Sequence, residues 1–361
     1  MTASTPKRVL FLAIASSDAV PPDPDFINML REKGNYVETR RIKEARSYLQ
    51  VLRAFLLCKD IRDFDLVIAQ EYFSAFGMAL RASVSSAATK LAVIGFNVSR
   101  RYLVTRSRSA NRLINRIFSR LSIIVVHSRA ERRLFCQVHD LDPNRVALAL
   151  WGYDLPRTFR EGRAISLGRF DQRYVCMVGR NNRDFAALTE AIRGTSIPAI
   201  YVASRVTDPW LESSDQIEIL YDIPFDDCLA IIANAALSII LLKDQKRGAG
   251  HITAVSAMML GKAQVFSDAD VLNDYLIAGD HGLAVPLNDP TATRQAIVKL
   301  YNNNQLAEYY GQEAKRYALK YLTNAAAQKR TFALMNAALE ERPIDLIDPE
   351  WQLQVHSHLL N

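Results

Sequence analysis

The chain has 361 residues, of which 49% are hydrophobic and 23% are charged. This length and composition are typical of a folded protein with two domains, and they exclude a disordered chain. Its net charge of +7 is uneven, because residues 1–165 carry +12 and residues 166–361 carry −5. No run approaches the roughly 18 uninterrupted apolar residues of a membrane-spanning helix. The start of the chain does not resemble a signal peptide, and the four cysteines lie far apart, so we expect a cytoplasmic protein with free thiols.

The first half alternates between short apolar runs and amphipathic segments, which predicts parallel strands joined by helices. The linker to the second half is expected at about 155–169, where one Pro, two Gly and several Arg occur. The predicted strands cover 8–14, 36–40, 66–69, 91–94, 123–126 and 148–150, and the predicted helices cover 26–32, 72–87 and the residues from 130 onwards.

An arginine-rich segment interrupts this first half. Seven arginines and no acidic residue lie between Arg100 and Arg120, and four of them recur every four residues beside an apolar stripe. This arrangement is typical of a helix lying on an anionic membrane surface. The alternative is a core-packed helix with a solvated basic face. Nucleic acid is not an expected partner, because no aromatic platform or known binding module accompanies the arginines.

The second half repeats the alternation. Its most informative stretch runs from Ala236 to Gly261, where an apolar strand, a polar loop with glycines and an apolar helix follow one another. Free N–H groups at such a helix N-terminus bind phosphate, although an ordinary strand–helix connection has the same pattern. The other predicted strands cover 173–178, 197–203 and 217–221, and the other predicted helices cover 185–193, 225–235, 291–301, 305–321 and 325–341.

The residues from Gly250 to Val265, with Asp274-Tyr275 and Gly282 to Pro286, resemble the donor half of the large retaining family of bacterial GT-B glycosyltransferases. The resemblance implies an α/β protein with two Rossmann-like domains facing across a cleft. An acceptor-binding domain would span 1–160 and be completed by a C-terminal helix within 330–361. A domain that binds a nucleotide-sugar donor would span 170–325.

The resemblance also implies a donor site. Arg180 matches the family's diphosphate-binding Arg, and Arg183 is the expected second basic residue for the diphosphate. Gly250 belongs to the glycine-containing loop, and Thr253 belongs to the start of the helix that follows. In the family, one glutamate bonds the ribose and another lies near the transferred sugar, but this chain has Ser256 and Gly248 there. Besides an active glycosyltransferase, this departure therefore allows a catalytically degenerate relative that binds a partner. A nucleotide-sugar epimerase of the same fold is a third possibility. The complete expected donor set is Gly179, Arg180, Arg183, Arg205, Ile223, Gly250, His251, Ile252, Thr253 and Ser256.

Catalytic residues are less well marked. The family often has a His where this chain has Asn97, which cannot act as a base. Asp18 in the first loop and His127 at the end of a strand are therefore our catalytic candidates. Asp23, Asp25 and Glu71 are weaker carboxylate candidates. The predicted activity is metal-independent transfer from a UDP- or GDP-sugar, with no cofactor, to a lipid-linked glycan or polysaccharide. The enzyme would act at the inner face of the cytoplasmic membrane and serve bacterial surface or exopolysaccharide synthesis.

Overall fold

The computed structural model describes residues 5–15, 22–96, 108–159, 173–245 and 249–342. This described chain divides into two compact units. The first unit comprises residues up to Leu150 together with those from Ala327 to Arg342, and the second unit comprises Trp151–Ala326. Each unit is built around its own sheet.

The first unit has a six-stranded, all-parallel sheet with the order β2-β1-β3-β4-β5-β6. Its strands are β1 Arg8–Ala15, β2 Tyr36–Lys43, β3 Leu66–Gln70, β4 Lys90–Ile94, β5 Ile123–Val126 and β6 Val146–Leu148. Its helices are α1 Asp25–Glu32, α2 Ser47–Leu57, α3 Tyr72–Ser85, α4 Arg108–Phe118, α5 Arg129–His139 and α12 Asn324–Leu339, the last of which begins in the second unit.

The core of the first unit explains why its inner strands are continuous apolar runs. Strands β3 and β5 are buried along almost their whole length, as expected when helices cover both faces of a parallel sheet. One face packs against α1 and α12 through an apolar cluster. That cluster includes Phe11, Phe26, Ile27, Leu30, Leu334, Met335 and Leu339.

The second unit also has a six-stranded, all-parallel sheet, with the order β12-β11-β10-β7-β8-β9. Its strands are β7 Val175–Val178, β8 Ala199–Ala203, β9 Ile217–Tyr221, β10 Leu237–Ile240, β11 Gln264–Ser267 and β12 Gly282–Val285. Its helices are α6 Phe185–Ile192, α7 Phe225–Asn234, α8 His251–Met259, α9 Asp270–Asn273, α10 Pro290–Tyr301 and α11 Asn304–Tyr321.

The predicted α/β class, with two Rossmann-like sheets, is confirmed. The predicted strands and helices occur with ends that differ by only a few residues. Helix α2 was not predicted. Eight of its eleven residues are apolar and are spread around the helix, so the segment lacks the clear amphipathic pattern of its neighbours.

Candidate functional site

The strand order of the second unit reverses between β7 and β10. From β7 the chain adds β8 and β9 on one side, and from β10 it adds β11 and β12 on the other. Ligands of open parallel sheets bind outside the carboxyl ends of the strands at such a reversal. The loop after β7 begins at Gly179, and the loop after β10 ends at Gly250, the residue before α8.

Arg183 fills the space between these two loops and is only 4% exposed. Its Nε donates to the carbonyl of Val178 (3.1 Å), Nη1 donates to the carbonyl of Asn181 (3.0 Å) and Nη2 donates to Thr253 Oγ1 (3.1 Å). Gly179 makes room for the guanidinium, since a Cβ there would lie 2.5 Å from Arg183 Nε. The Arg183 guanidinium therefore packs directly against the turn at Gly179.

This cation has no acidic partner in the described part of the chain. The three hydrogen bonds of Arg183 go to two carbonyls and one hydroxyl, and burial lowers its pKa to about 10. A buried charge without a counterion destabilises the protein unless another group compensates it. Guanidinium groups match phosphate oxygens in both geometry and charge. The site is therefore suited to an anion supplied by a ligand.

The N-terminus of helix α8 adds to this positive potential. Its preceding residue, Gly250, has φ +94° and offers no side chain to cap the first-turn N–H groups. The amide groups and the dipole at such an end favour a negative ligand. Thr253 in the first turn accepts from Arg183 and approaches the carbonyl of Val178 (3.3 Å). Arg183 and the start of α8 are thus joined by a hydrogen bond through Thr253.

Two other predicted residues of α8, His251 and Ile252, differ in their surroundings. His251 lies with Nε2 3.0 Å from the carbonyl of Val271, and its ring stacks on Tyr275 with centroids 4.5 Å apart. Ile252, in contrast, is 49% exposed. His251 is held in place by its contacts, and its role toward a ligand stays a prediction.

Ser256 lies one turn further along α8 and is 1% exposed. Its Oγ is buried and has no hydrogen-bond partner among the described residues. A serine side chain is too short to reach from this position to the exposed start of the helix. The place of Ser256 in the donor site stays a prediction, and its buried position favours packing.

The remaining predicted donor residues follow the carboxyl ends of β7, β8 and β9. Arg180 is exposed, and its carbonyl accepts from Thr207 Oγ1 (2.9 Å), which connects the loops after β7 and β8. The Arg205 guanidinium lies 4.4 Å from the ring centroid of Tyr221. Half-buried Ile223 follows β9. These residues lie with Arg183 at the carboxyl ends of the strands, the side of the sheet that we call its carboxyl edge.

In the first unit, His127 follows β5 and its Nδ1 lies 2.9 Å from the carbonyl of Ala149. Its backbone N–H donates to Glu131 Oε2 (2.9 Å), while Ser128 Oγ accepts from the Glu131 amide (3.1 Å). This is a capping box at the start of α5. The candidate His127 is therefore part of a structural cap, and a catalytic role stays a prediction.

The carboxylate candidates of the first unit differ in their surroundings. Asp23 forms ion pairs with Arg31 (2.6 Å) and Arg41 (3.3 Å), so its carboxylate is already neutralised. Asp25 is exposed in the first turn of α1. The candidate Asp18 lies outside the described residues, as do Asn97 and Gly248. Glu71 has an unusual geometry that sequence patterns do not reveal.

Two further findings concern the described ranges as a whole. No helix in them combines the length and apolarity that a bilayer crossing requires. Within the same ranges, no three or more His, Cys, Asp or Glu side chains are grouped as a metal site.

No protein-family model matches the chain. Solved structures with the same fold are nevertheless numerous. HepE from Anabaena, in complex with UDP and glucose, has a TM-score of 0.66 and 14% identity, with 92% of this chain and 100% of that chain covered. Sucrose-phosphate synthase from Thermosynechococcus elongatus has a TM-score of 0.68 and 14% identity, with 93% and 100% covered. This chain has the fold of the GT-B glycosyltransferases.

A curated relative is similar in sequence over a shorter stretch. It is an uncharacterized glycosyltransferase from Methanocaldococcus jannaschii that is 30% identical over 95 residues. The match covers 26% of this chain and about a quarter of that relative, 24% of its length. The GT-B resemblance expected from the donor half of the sequence is therefore confirmed at the level of the fold.

Proposed function

We propose that the chain is a glycosyltransferase that takes its sugar from a nucleoside-diphosphate sugar of the UDP or GDP type. The observation that carries this proposal is Arg183, a buried cation without an acidic partner in the described ranges, at the strand-order reversal and next to the N-terminus of α8. A diphosphate supplies the missing negative charge. The complex of HepE with UDP and glucose supports this choice of ligand.

The same residues suit the chemistry of sugar transfer. When the bond between the anomeric carbon and the donor phosphate breaks, negative charge grows on the departing diphosphate. Arg183 and the α8 amides are held in place by hydrogen bonds before the reaction, and such preorganised groups stabilise developing charge effectively. Because these fixed groups can supply the positive charge, we propose that transfer does not depend on a metal ion.

The test is a thermal-shift and calorimetric screen of UDP, GDP, ADP and CMP in the presence of EDTA. Ligand binding to the native state raises the melting temperature with ligand concentration. We expect one nucleoside diphosphate to bind to the wild type and about 100-fold more weakly to Arg183→Gln, because a charged hydrogen-bond partner is lost.

The matched control is Arg193→Gln, which removes an exposed arginine of the same unit that pairs with Glu190 (2.8 Å). This variant should bind the nucleotide as the wild type does. Equal affinities of the Arg183 and Arg193 variants, or no binding to the wild type, would contradict the proposal.

We further propose that the acceptor is a lipid-linked glycan or a polysaccharide at the cytoplasmic face of the membrane. Support comes from the surfaces of α2 and α4, both of which pack against α3. Helix α2 exposes Tyr48 (62%), Leu52 (52%) and Leu56 (58%) at four-residue intervals. Helix α4 exposes Arg112, Arg116 and Leu113, and neither helix contains an acidic residue. Exposed apolar and cationic side chains together favour an anionic lipid surface.

Vesicle sedimentation tests this second part. We expect binding to phosphatidylglycerol vesicles that weakens with salt and that is reduced when Arg112 and Arg116 are both changed to Gln. Arg316→Gln, at an exposed arginine of the second unit, is the control. Equal binding to neutral phosphatidylcholine vesicles would contradict an electrostatic membrane contact. The arginines of the segment before Arg108 lie outside the described residues.

The alternative is a degenerate GT-B protein that acts as a binding partner of another glycosyltransferase. The observation that favours it is the buried Ser256, which lies where the family has a ribose-binding glutamate. This alternative predicts no sugar transfer by the purified chain with any donor. Transfer by the purified chain alone would contradict it.

A further inference from the structure

The carboxyl edge of the first unit's sheet contains a residue with an unfavourable backbone conformation. Glu71 joins β3 to α3 and has φ +66° and ψ 164°. Glycine adopts this region readily, whereas a residue with a Cβ is strained there. The helix caps Ser86 (φ 50°, ψ 35°) and Asp140 (φ 51°, ψ 44°) lie in the ordinary left-handed region. Glu71 is therefore strained in a way that these caps are not.

Neighbouring strands hold the Glu71 backbone in this conformation. The Glu71 N–H donates to the carbonyl of Ile94 at the end of β4 (3.0 Å). The preceding residue, Gln70, accepts through Oε1 from the Ile14 amide near the end of β1 (2.8 Å). The ends of three adjacent strands thus fix the position of the carboxylate.

A buried side chain also orients the carboxylate. Gln50 of α2 is 4% exposed, and its Nε2 donates to Glu71 Oε2 (3.1 Å) and to Ser74 Oγ (3.1 Å). Glu71 itself is exposed. Its second oxygen, Oε1, has no hydrogen-bond donor among the described residues. Gln50 therefore holds one oxygen in place, and the other is able to accept a hydrogen bond.

Glu71 also lies where a ligand is expected. The strand order of the first unit reverses between β1 and β3, and Glu71 directly follows β3. Strained residues persist at functional positions, and parallel sheets bind ligands at this edge. Carboxylates form strong, charge-assisted hydrogen bonds to hydroxyl groups. These observations point to a ligand that is rich in hydroxyls.

We propose that Glu71 binds a hydroxyl group of the sugar acceptor and that Gln50 is its positioning residue. This inference rests on the proposed glycosyltransferase function. It adds two specific residues to the acceptor recognition that is expected of the first unit. The strain at Glu71 is retained because no glycine can supply the carboxylate.

Three variants of Glu71 separate its roles. Glu71→Gln keeps the backbone strain and removes the charge. Glu71→Ala and Glu71→Gly both remove the carboxylate and differ only in the strain. Transfer is measured from the donor sugar to a polyprenyl-diphosphate-linked hexose in phosphatidylglycerol vesicles. Nucleotide affinity is measured by calorimetry and stability by the melting temperature.

We expect Glu71→Gln to lower kcat/KM for the acceptor by about 10- to 100-fold, as for loss of a charged hydrogen bond, with unchanged nucleotide affinity. Glu71→Gly should melt about 2–4 °C above Glu71→Ala, because glycine relieves the strain. Full transfer by Glu71→Gln, or equal melting of the Ala and Gly variants, overturns the inference alone. A wild type that binds no nucleotide or transfers no sugar overturns the proposed function, and this inference with it.

Discussion

The carboxyl edges of the two sheets have the same topology and opposite chemistry. In each unit the strand order reverses beside the first strand, between β1 and β3 or between β7 and β10. The edge of the second unit holds the buried cation Arg183, whereas the edge of the first presents the exposed carboxylate of Glu71. In open parallel sheets the topology determines where a ligand can bind, and individual side chains determine which ligand fits there.

The residues that hold Arg183 and Glu71 in place also differ. Gly179 leaves space for the Arg183 guanidinium, while the buried amide of Gln50 supports Glu71. If the two carboxyl edges work independently, a change beside Glu71 should leave nucleotide affinity intact, and a change beside Arg183 should leave acceptor binding intact. The following changes test that independence, beginning with the largest expected effect.

Gly77→Ala should disrupt the carboxyl edge of the first unit, where Glu71 lies. A Cβ at Gly77 in α3 would lie 2.3 Å from the carbonyl of Val51 in α2, so the helix that holds Gln50 must shift. Overpacking of this kind costs about 1–3 kcal/mol. We expect a lower melting temperature and weaker acceptor transfer with unchanged nucleotide affinity. A parallel loss of nucleotide binding in calorimetry would show that the two edges are coupled.

Thr253→Val should weaken the second edge without changing the shape of its side chain greatly. The variant removes the hydroxyl that accepts from Arg183 Nη2 (3.1 Å) and leaves a charged donor without a partner. We expect nucleotide affinity to fall by about 5- to 20-fold, less than for direct loss of a charged hydrogen bond, because Arg183 itself remains. Thr253→Ser keeps the hydroxyl and should restore most of the affinity. A Ser variant as weak as the Val variant would exclude the hydroxyl as the cause.

Arg180→Gln should have a smaller effect than Arg183→Gln. Arg180 is exposed in the same loop, where water screens its charge. We expect about a 2- to 5-fold loss of nucleotide affinity at low salt and less at high salt. Calorimetry of both variants at two salt concentrations provides the measurement. A loss as large as that of Arg183→Gln would mean that exposure does not distinguish the two arginines.

The smallest expected effect concerns pH and the cap beside His127. Burial raises the pKa of Glu131, although the neighbouring His127 and backbone N–H groups oppose this shift. Since the folded pKa lies above the unfolded one, stability is lost as pH rises through the folded value. Glu131→Gln retains the capping box and does not titrate. It should therefore be more stable than the wild type in thermal unfolding above the unfolded pKa of a glutamate, about 4.3, and the difference should disappear at lower pH.

The element pattern was predictable from sequence because the buried strands and amphipathic helices have distinct periods. The chemistry of the edges was only partly predictable. Arg183 was expected in the donor site because its position matches a motif, but its burial depends on the missing Cβ of Gly179 on the opposite side of the turn. The backbone strain of Glu71 is set by hydrogen bonds from distant strands, which no local pattern encodes. Helix α2 has apolar residues on most of its circumference, so its periodicity gave little signal.

The first unit is discontinuous in the chain, and this has a consequence for biosynthesis. Helix α12 contributes Leu334, Met335 and Leu339 to a core whose strands end before residue 150. The ribosome therefore completes the whole second unit before it releases the helix that closes the first. Because domains generally fold as units during synthesis, the second unit can reach its native state first although it is translated later. Until α12 emerges, the cluster that contains Phe11, Ile27 and Leu30 is incomplete, and chaperones can protect the apolar surface that stays exposed.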